Sequence, residues 1–133
     1  MNNAQPVWNF ANFTPEEFAC QHCGAHGIDL ALVAKIQTLR EKVDMPLVIT
    51  SGYRCPDHPL EQKKRASGRP LGAHTEGCAA DIGCSGSSAH RILRAALALG
   101  FTRIGVNMRG AHHTRFIHLD ISTTRPSPAL WSY

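Results

Sequence analysis

His74-Thr75-Glu76-Gly77-Cys78-Ala79-Ala80-Asp81-Ile82, read HTEGCAADI over residues 74–82, runs from a histidine on a loop to an aspartate on a short strand of small residues. Small residues let backbones pack closely, as the surroundings of a buried site require. Neutral imidazole and carboxylate oxygen are both zinc donors at about 2.0–2.2 Å, and a catalytic zinc needs three protein ligands and one open position. His74 and Asp81 supply two. His118, within Phe116-Ile117-His118-Leu119-Asp120-Ile121, is the candidate third. By themselves a histidine and an aspartate seven positions apart read equally well as a plain surface loop, so the rest of the chain has to decide.

Working outward, Cys78–Ile82 is a short strand, and Ser87 or Ser88 caps a helix that runs through Leu99 and ends at Gly100, with Ile92, Ala96 and Leu99 facing inward. Phe101–Val106 and Arg115–Ile121 read as two strands of a hairpin around the turn at Asn107–Ala111. Upstream, Leu47–Thr50 (LVIT) is a β-branched run, expected as a core strand. Asp29 caps a helix to about Val43, whose Val33, Ile36, Leu39 or Arg40, and Val43 recur at the spacing of a buried face. Thr14, Pro15, Glu16 and Glu17 open a short helix ending near Cys20. Arg54–Gly72, rich in proline, glycine and charge, reads as a long surface loop with one helical turn. After Ser122 the tail is irregular, with Trp131 and Tyr133 as an aromatic end that packs back on the body. The succession is α+β.

The 133 residues fit a single domain, with residues 1–12 expected as a loosely packed N-terminal arm. Apolar residues make up 43% and charged residues 18%, with no apolar run long enough to span a bilayer. The first residues, MNNAQPVWNFANF, have neither the basic start nor the apolar stretch of a secretory signal. A net charge of +4 and a pI near 9.0 favour an anionic partner. The basic run Lys63, Lys64, Arg65 and Arg69 lacks the interleaved aromatics of a base-stacking surface, so nucleic acid is not expected. Five cysteines are an odd number, which argues against a disulfide framework. Eight histidines, lying near glycines, cysteines and acids, raise metal binding instead.

Four segments settle the matter: SGYR at 51–54, HTEGCAADI at 74–82, RIGV at 103–106 and FIHLDI at 116–121. In order and spacing they resemble the zinc D-Ala-D-Ala carboxypeptidase family and its phage endolysin relatives, which share a fold with the hedgehog signalling domain. The likeness runs from about Phe13 to Tyr133. It implies an antiparallel sheet flanked by helices, one Zn2+ held by His74, Asp81 and His118, and hydrolysis of peptide bonds in peptidoglycan, either as a D-Ala-D-Ala carboxypeptidase or as an L-Ala-D-Glu type endopeptidase. The substrate-binding arginine of the family matches Arg54, which otherwise reads as a strand-end arginine paired with Asp57 or a loop carbonyl.

Two departures stand out. Gly72 replaces a serine usual two positions before the first histidine, which would loosen the loop, and Arg115 occupies the position where many members carry the catalytic acid. Asp120 is the substitute: residues two apart on a strand share a face, which sets it beside His118. It is read as general base, or else as a support that orients His118. On this view zinc activates water, Asp120 relays its proton and Arg54 binds a substrate carboxylate. Glu76 and His113 are next in line as base, and His112 and His113 border the cleft at most.

A non-catalytic zinc-containing domain that binds peptidoglycan or serves in a virion is the alternative, since one fold carries many functions. Cys20 and Cys23, with His22 and His26 nearby, have the spacing of a small structural zinc site, yet no partner pair stands out. Buried free thiols and a single zinc per chain are therefore expected. The setting implied is synthesis in the cytoplasm and action on the cell wall by a phage-lysis or virion-associated route, with a monomer as the default.

Overall fold

The computed structural model describes residues 7–133. In chain order its elements are α1 (Leu30–Val43), β1 (Val48–Ser51), α2 (Pro59–Ala66), β2 (Ala79–Gly83), α3 (Gly86–Ala98), β3 (Arg103–Asn107), β4 (Phe116–Asp120) and β5 (Ala129–Ser132), with 3-10 turns at Pro15–Phe18, Ala73–Glu76 and His112–Thr114. The strands form one sheet in the order β1-β2-β4-β3-β5, antiparallel except where β5 runs parallel to β3. This is the expected α+β architecture.

Period-two alternation divides the sheet into two unlike faces. Ala80 and Ile82 of β2, Ile104 of β3, and Ile117 and Leu119 of β4 point to one side and are buried with Leu32, Val33, Ile36, Leu39 and Val43 of α1 and Ala89, Ile92, Ala95 and Ala96 of α3. The opposite face carries Ala79, Asp81, Arg103, Gly105, Phe116, His118 and Asp120. The hydrophobic core thus fixes the register, and a one-residue slip of β2 or β4 would exchange Asp81 or His118 with an isoleucine or leucine.

Asp29 caps α1 by accepting the Ala31 amide at 2.8 Å, as its sequence signature requires. The first turn of the chain is a 3-10 turn of four residues, with the Glu17 carboxylate accepting the Thr14 amide at 3.3 Å. The hairpin of β3 and β4 forms in full register from Arg103 opposite Asp120 to Asn107 opposite Phe116.

Five expectations need correction. The strand at 48–51 is an edge strand rather than a core one: Val48 is 61% exposed, because β1 pairs only with β2. Within Arg54–Gly72 lies α2, two turns long, which His58 caps by accepting the Leu60 amide and Pro59 opens. α3 starts at Gly86 with Ser85 as N-cap, not at Ser87 or Ser88. The tail forms β5, whose alternation over four residues is too short to separate from a loop by pattern alone. Of the supposed loose arm, residues 1–6 lie outside the described residues, while Trp8 and Phe10 pack on the core and the Trp8 indole donates to the Phe13 carbonyl at 2.8 Å.

Gly77 follows His74 in the left-handed region (φ 75°), and a side chain there would overlap the Gly27 carbonyl oxygen. Its own carbonyl accepts the Asp29 amide at 2.8 Å, so this turn ties the histidine loop to the start of α1. Gly77→Ala is expected to destabilise the fold by about 1–3 kcal/mol, read as a lower denaturation midpoint in urea. An unchanged midpoint would show that the turn is not held as described.

Candidate metal centre

The sheet register lays one row of residues across the polar face: Ser51 opposite Asp81, Asp81 opposite His118, His118 opposite Gly105 and Gly105 opposite Trp131. The 3-10 turn at Ala73–Glu76 adds His74 from above this row. His74 Nε2 and His118 Nδ1 lie 3.2 and 3.0 Å from the same oxygen, Asp81 Oδ1. All three side chains are buried, and one donor atom from each falls within 4.8 Å of the others.

The far nitrogen of each ring shows what these three atoms have in common. His74 Nδ1 is 2.7 Å from the Gly52 carbonyl oxygen, and His118 Nε2 is 2.7 Å from Asp120 Oδ2. Both partners can only accept, so those nitrogens carry the ring protons and donate. That leaves His74 Nε2, His118 Nδ1 and Asp81 Oδ1 with lone pairs pointing at one another, an arrangement that a shared cation would hold together. Two imidazoles and a carboxylate, each histidine backed by an acceptor on its other nitrogen, is the donor set and support pattern of a zinc site.

The two histidines differ electrostatically. Burial lowers the His74 pKa, with Arg54 and His118 adding to it, and keeps the ring neutral as a ligand must be. Burial pushes His118 the same way, but the Asp120 and Asp81 carboxylates outweigh it and raise its pKa. Asp81 is held well below the usual carboxylate range by its interactions with His74 and His118, against the pull of burial.

Asp120 is 2% exposed with both oxygens committed: Oδ2 to His118, Oδ1 to Arg103 Nε at 2.7 Å and to the Ser122 amide at 3.1 Å. These bonds outweigh burial and keep it ionised. Arg54 is likewise buried. Its Nε donates to Ser51 Oγ at 3.0 Å, one terminal nitrogen to Glu61 Oε2 at 3.1 Å and the other to Asp81 Oδ2 at 3.3 Å. A guanidinium has five N–H groups, so one on each terminal nitrogen stays available to a ligand. The pairing with Asp57 considered from sequence is replaced by these contacts.

Glu61, wholly buried, is the anchor of the loop. Besides Arg54 it accepts from Lys64 at 3.2 Å and from the Gly72 amide at 2.7 Å. Gly72 therefore does not loosen the histidine loop: it is tied to α2, and its carbonyl accepts the Thr75 hydroxyl at 2.8 Å.

Above the three donors opens a cleft of about 470 Å³, whose basic rim is formed by Arg54, Lys63, Lys64, Arg69, Arg103 and Arg125. Among the described residues lining it, Asp81 is the only carboxylate. Glu76 turns away to Arg125 at 3.3 Å and Thr124 at 3.2 Å, and Arg115 donates to the Gly110 carbonyl. His112 and His113 sit on the exposed turn before β4 and do not line the cleft.

The far wall is Trp131, 5.2 Å from the His118 ring, with Tyr133 beyond it. Gly105 makes this possible, since a methyl group there would strike the Trp131 indole. Sequence reasoning did not find Glu61, Arg103, Trp131 or Tyr133 as site residues. Only the alternation of Arg103 with Ile104 hinted at a second polar strand on the His118 face.

A buried His-Asp-His cluster that could hold one metal ion thus lies at the floor of an open cleft in an α+β fold. The chain belongs to the peptidase M15 family, a family of zinc peptidases, whose family model matches residues 11–120 and so includes Arg54, all three donors and Asp120. No curated protein matches the chain at significant similarity.

Proposed function

We propose that the protein is a zinc-dependent peptidase that hydrolyses peptide bonds in peptidoglycan. The observation that carries this is the meeting of His74 Nε2, Asp81 Oδ1 and His118 Nδ1, each histidine fixed by an acceptor behind it, beneath a cleft with a basic rim. Zinc held there supplies Lewis acidity toward water and toward a carbonyl oxygen.

The chain's own residues do the rest. Asp120 keeps His118 in the tautomer that turns Nδ1 to the metal, and Arg103 and the Ser122 amide keep Asp120 charged and still. This geometry favours the supporting role for Asp120 over the general base, because neither oxygen has a free path to the cleft. Arg54 holds Asp81 through Oδ2 and offers its two remaining N–H groups to a substrate carboxylate or carbonyl. The basic rim draws in the acidic stem peptides of the wall. Trp131 closes one side and limits water around the reacting bond.

The second reading, a zinc-containing domain that binds wall peptides without cutting them, is favoured by one observation: no carboxylate other than Asp81 lines the cleft among the described residues. Digestion of purified wall peptides separates the two. Free D-alanine marks a D-Ala-D-Ala carboxypeptidase, a new amino terminus on D-glutamate marks the endopeptidase, and no product supports the binding domain. On the peptidase reading the protein acts on a bacterial wall, reached by a phage-lysis or virion-borne route.

If Arg54 recognises a carboxylate, wild type should turn over free-acid peptides faster than the same peptides amidated at that group. Arg54→Lys should lose this preference, because an ammonium cannot reproduce the two-pronged contact. Equal rates on both peptides by wild type would remove the role.

A further inference from the structure

Cys20, Cys23 and Cys55 lie apart in sequence and together in space, each Sγ within 4.8 Å of the other two. The first two belong to Cys20-Gln21-His22-Cys23-Gly24, a turn in which the Gly24 amide donates to the Cys20 carbonyl at 2.7 Å and Gly24 takes the left-handed conformation (φ 77°). This folds a CxxC around a single point. The Cys55 amide donates to Cys20 Sγ at 3.3 Å, and the backbone of Cys23 and His22 joins it in lowering the Cys20 pKa to about 7 against the pull of burial. Backbone donors gathered on one cysteine sulfur suit a thiolate and not a thiol packed in an apolar core.

We propose that these three cysteines form a second metal site, a structural zinc centre separate from the His74, Asp81 and His118 cluster, with its fourth position filled by a neighbouring histidine. Cys55 is the partner that the sequence alone did not reveal, because it comes thirty-two positions after Cys23. His22 and His58 meet edge to ring with centroids 6.2 Å apart, and each lies within three positions of a cysteine of the set. Three thiolates and an imidazole are an established tetrahedral zinc set, and binding releases the thiol protons to solvent.

The placement gives the centre a purpose. Cys20 follows the 3-10 turn Pro15–Phe18 and its cap Ala19, and Cys55 follows Arg54, so a metal there staples the N-terminal segment to the loop leaving β1. The two segments already touch: the Tyr53 amide donates to the Phe18 carbonyl at 2.9 Å, and a side chain at Gly52 would collide with the Phe18 backbone. Gly52 in turn supplies the carbonyl that orients His74, and Arg54 holds Asp81. The cysteine centre thus braces the loop from which two supports of the first site project.

The test uses the full chain with both histidine donors replaced, His74→Ala and His118→Ala together, so that it does not depend on the proposed peptidase activity. Elemental analysis should find one zinc per chain remaining, and cobalt exchanged into that variant should show thiolate charge-transfer absorption. Alkylation of the wild-type protein should spare Cys20, Cys23 and Cys55 until a chelator is added. His58→Asn or His22→Asn, whichever removes the fourth ligand, should alter the cobalt spectrum without removing its thiolate bands. A double variant without zinc, or an intact mass showing a disulfide among these cysteines in freshly purified protein, would overturn the proposal. The same proposal fails if the three thiols of the wild type react equally with and without chelator.

Discussion

Asp120→Asn is expected to weaken zinc binding by about 10–100-fold, the usual cost of removing the partner behind a metal-bound histidine. The amide matches the carboxylate in size, so the fold should survive. It presents its oxygen or its NH2 group to His118 Nε2 but loses the negative charge that raises the His118 pKa and pairs with Arg103. With zinc at saturation, turnover should return close to wild type, because Asp120 acts through His118. A general base predicts the opposite division: zinc affinity nearly unchanged and turnover lower by roughly two to four orders of magnitude at any zinc concentration. Zinc titration followed by rate measurement separates the two, and persistent loss at saturating zinc would restore Asp120 as base.

Glu61→Ala should cost about 3–5 kcal/mol of stability, the range for removing one member of a buried ion pair. The carboxylate has 0% exposure and joins Arg54, Lys64 and the Gly72 amide, so its loss removes one of the two carboxylates paired with a buried guanidinium and frees the histidine loop together. Burial alone would raise the Glu61 pKa, but the Gly72 amide, Lys64 and Arg54 outweigh it and hold the group below its ordinary value. A carboxyl with a depressed folded pKa stabilises above its unfolded pKa, near 4.5, and loses that contribution as pH falls through the lower folded value. Wild type should therefore lose stability below about pH 4.5 more steeply than Glu61→Gln, measured by urea unfolding at each pH. Parallel pH profiles would show that Glu61 is not the anchor described.

What sequence made legible follows the range over which each signal acts. Asp29 and the apolar spacing of α1 are local, and the helix forms where they place it. His74, Asp81 and His118 are legible because four segments in order carry a family resemblance that two short motifs alone do not, although what brings Asp81 and His118 together is the pairing of β2 with β4 and what adds His74 is the turn at Ala73–Glu76. Glu61 looked like one more charge on a solvated loop, since nothing in Pro59–Ala66 announces that its carboxylate turns inward to meet Arg54. β1 carries the β-branched composition of a core strand and lies at an edge, because composition reports pleat preference and not the number of neighbours. Trp131 was seen only as an aromatic near the end, for its place beside His118 depends on a parallel pairing and on the missing side chain of Gly105.

The most direct test of the metal centre as a peptidase site is cleavage of purified peptidoglycan by the wild-type protein before chelation, after chelation, and after zinc is returned. The expected result is release of new peptide termini that stops on chelation and resumes with zinc, and that His74→Ala does not support under any of the three conditions. Cleavage that persists in His74→Ala with wild-type rate, or in chelated protein shown to contain no zinc, would contradict it.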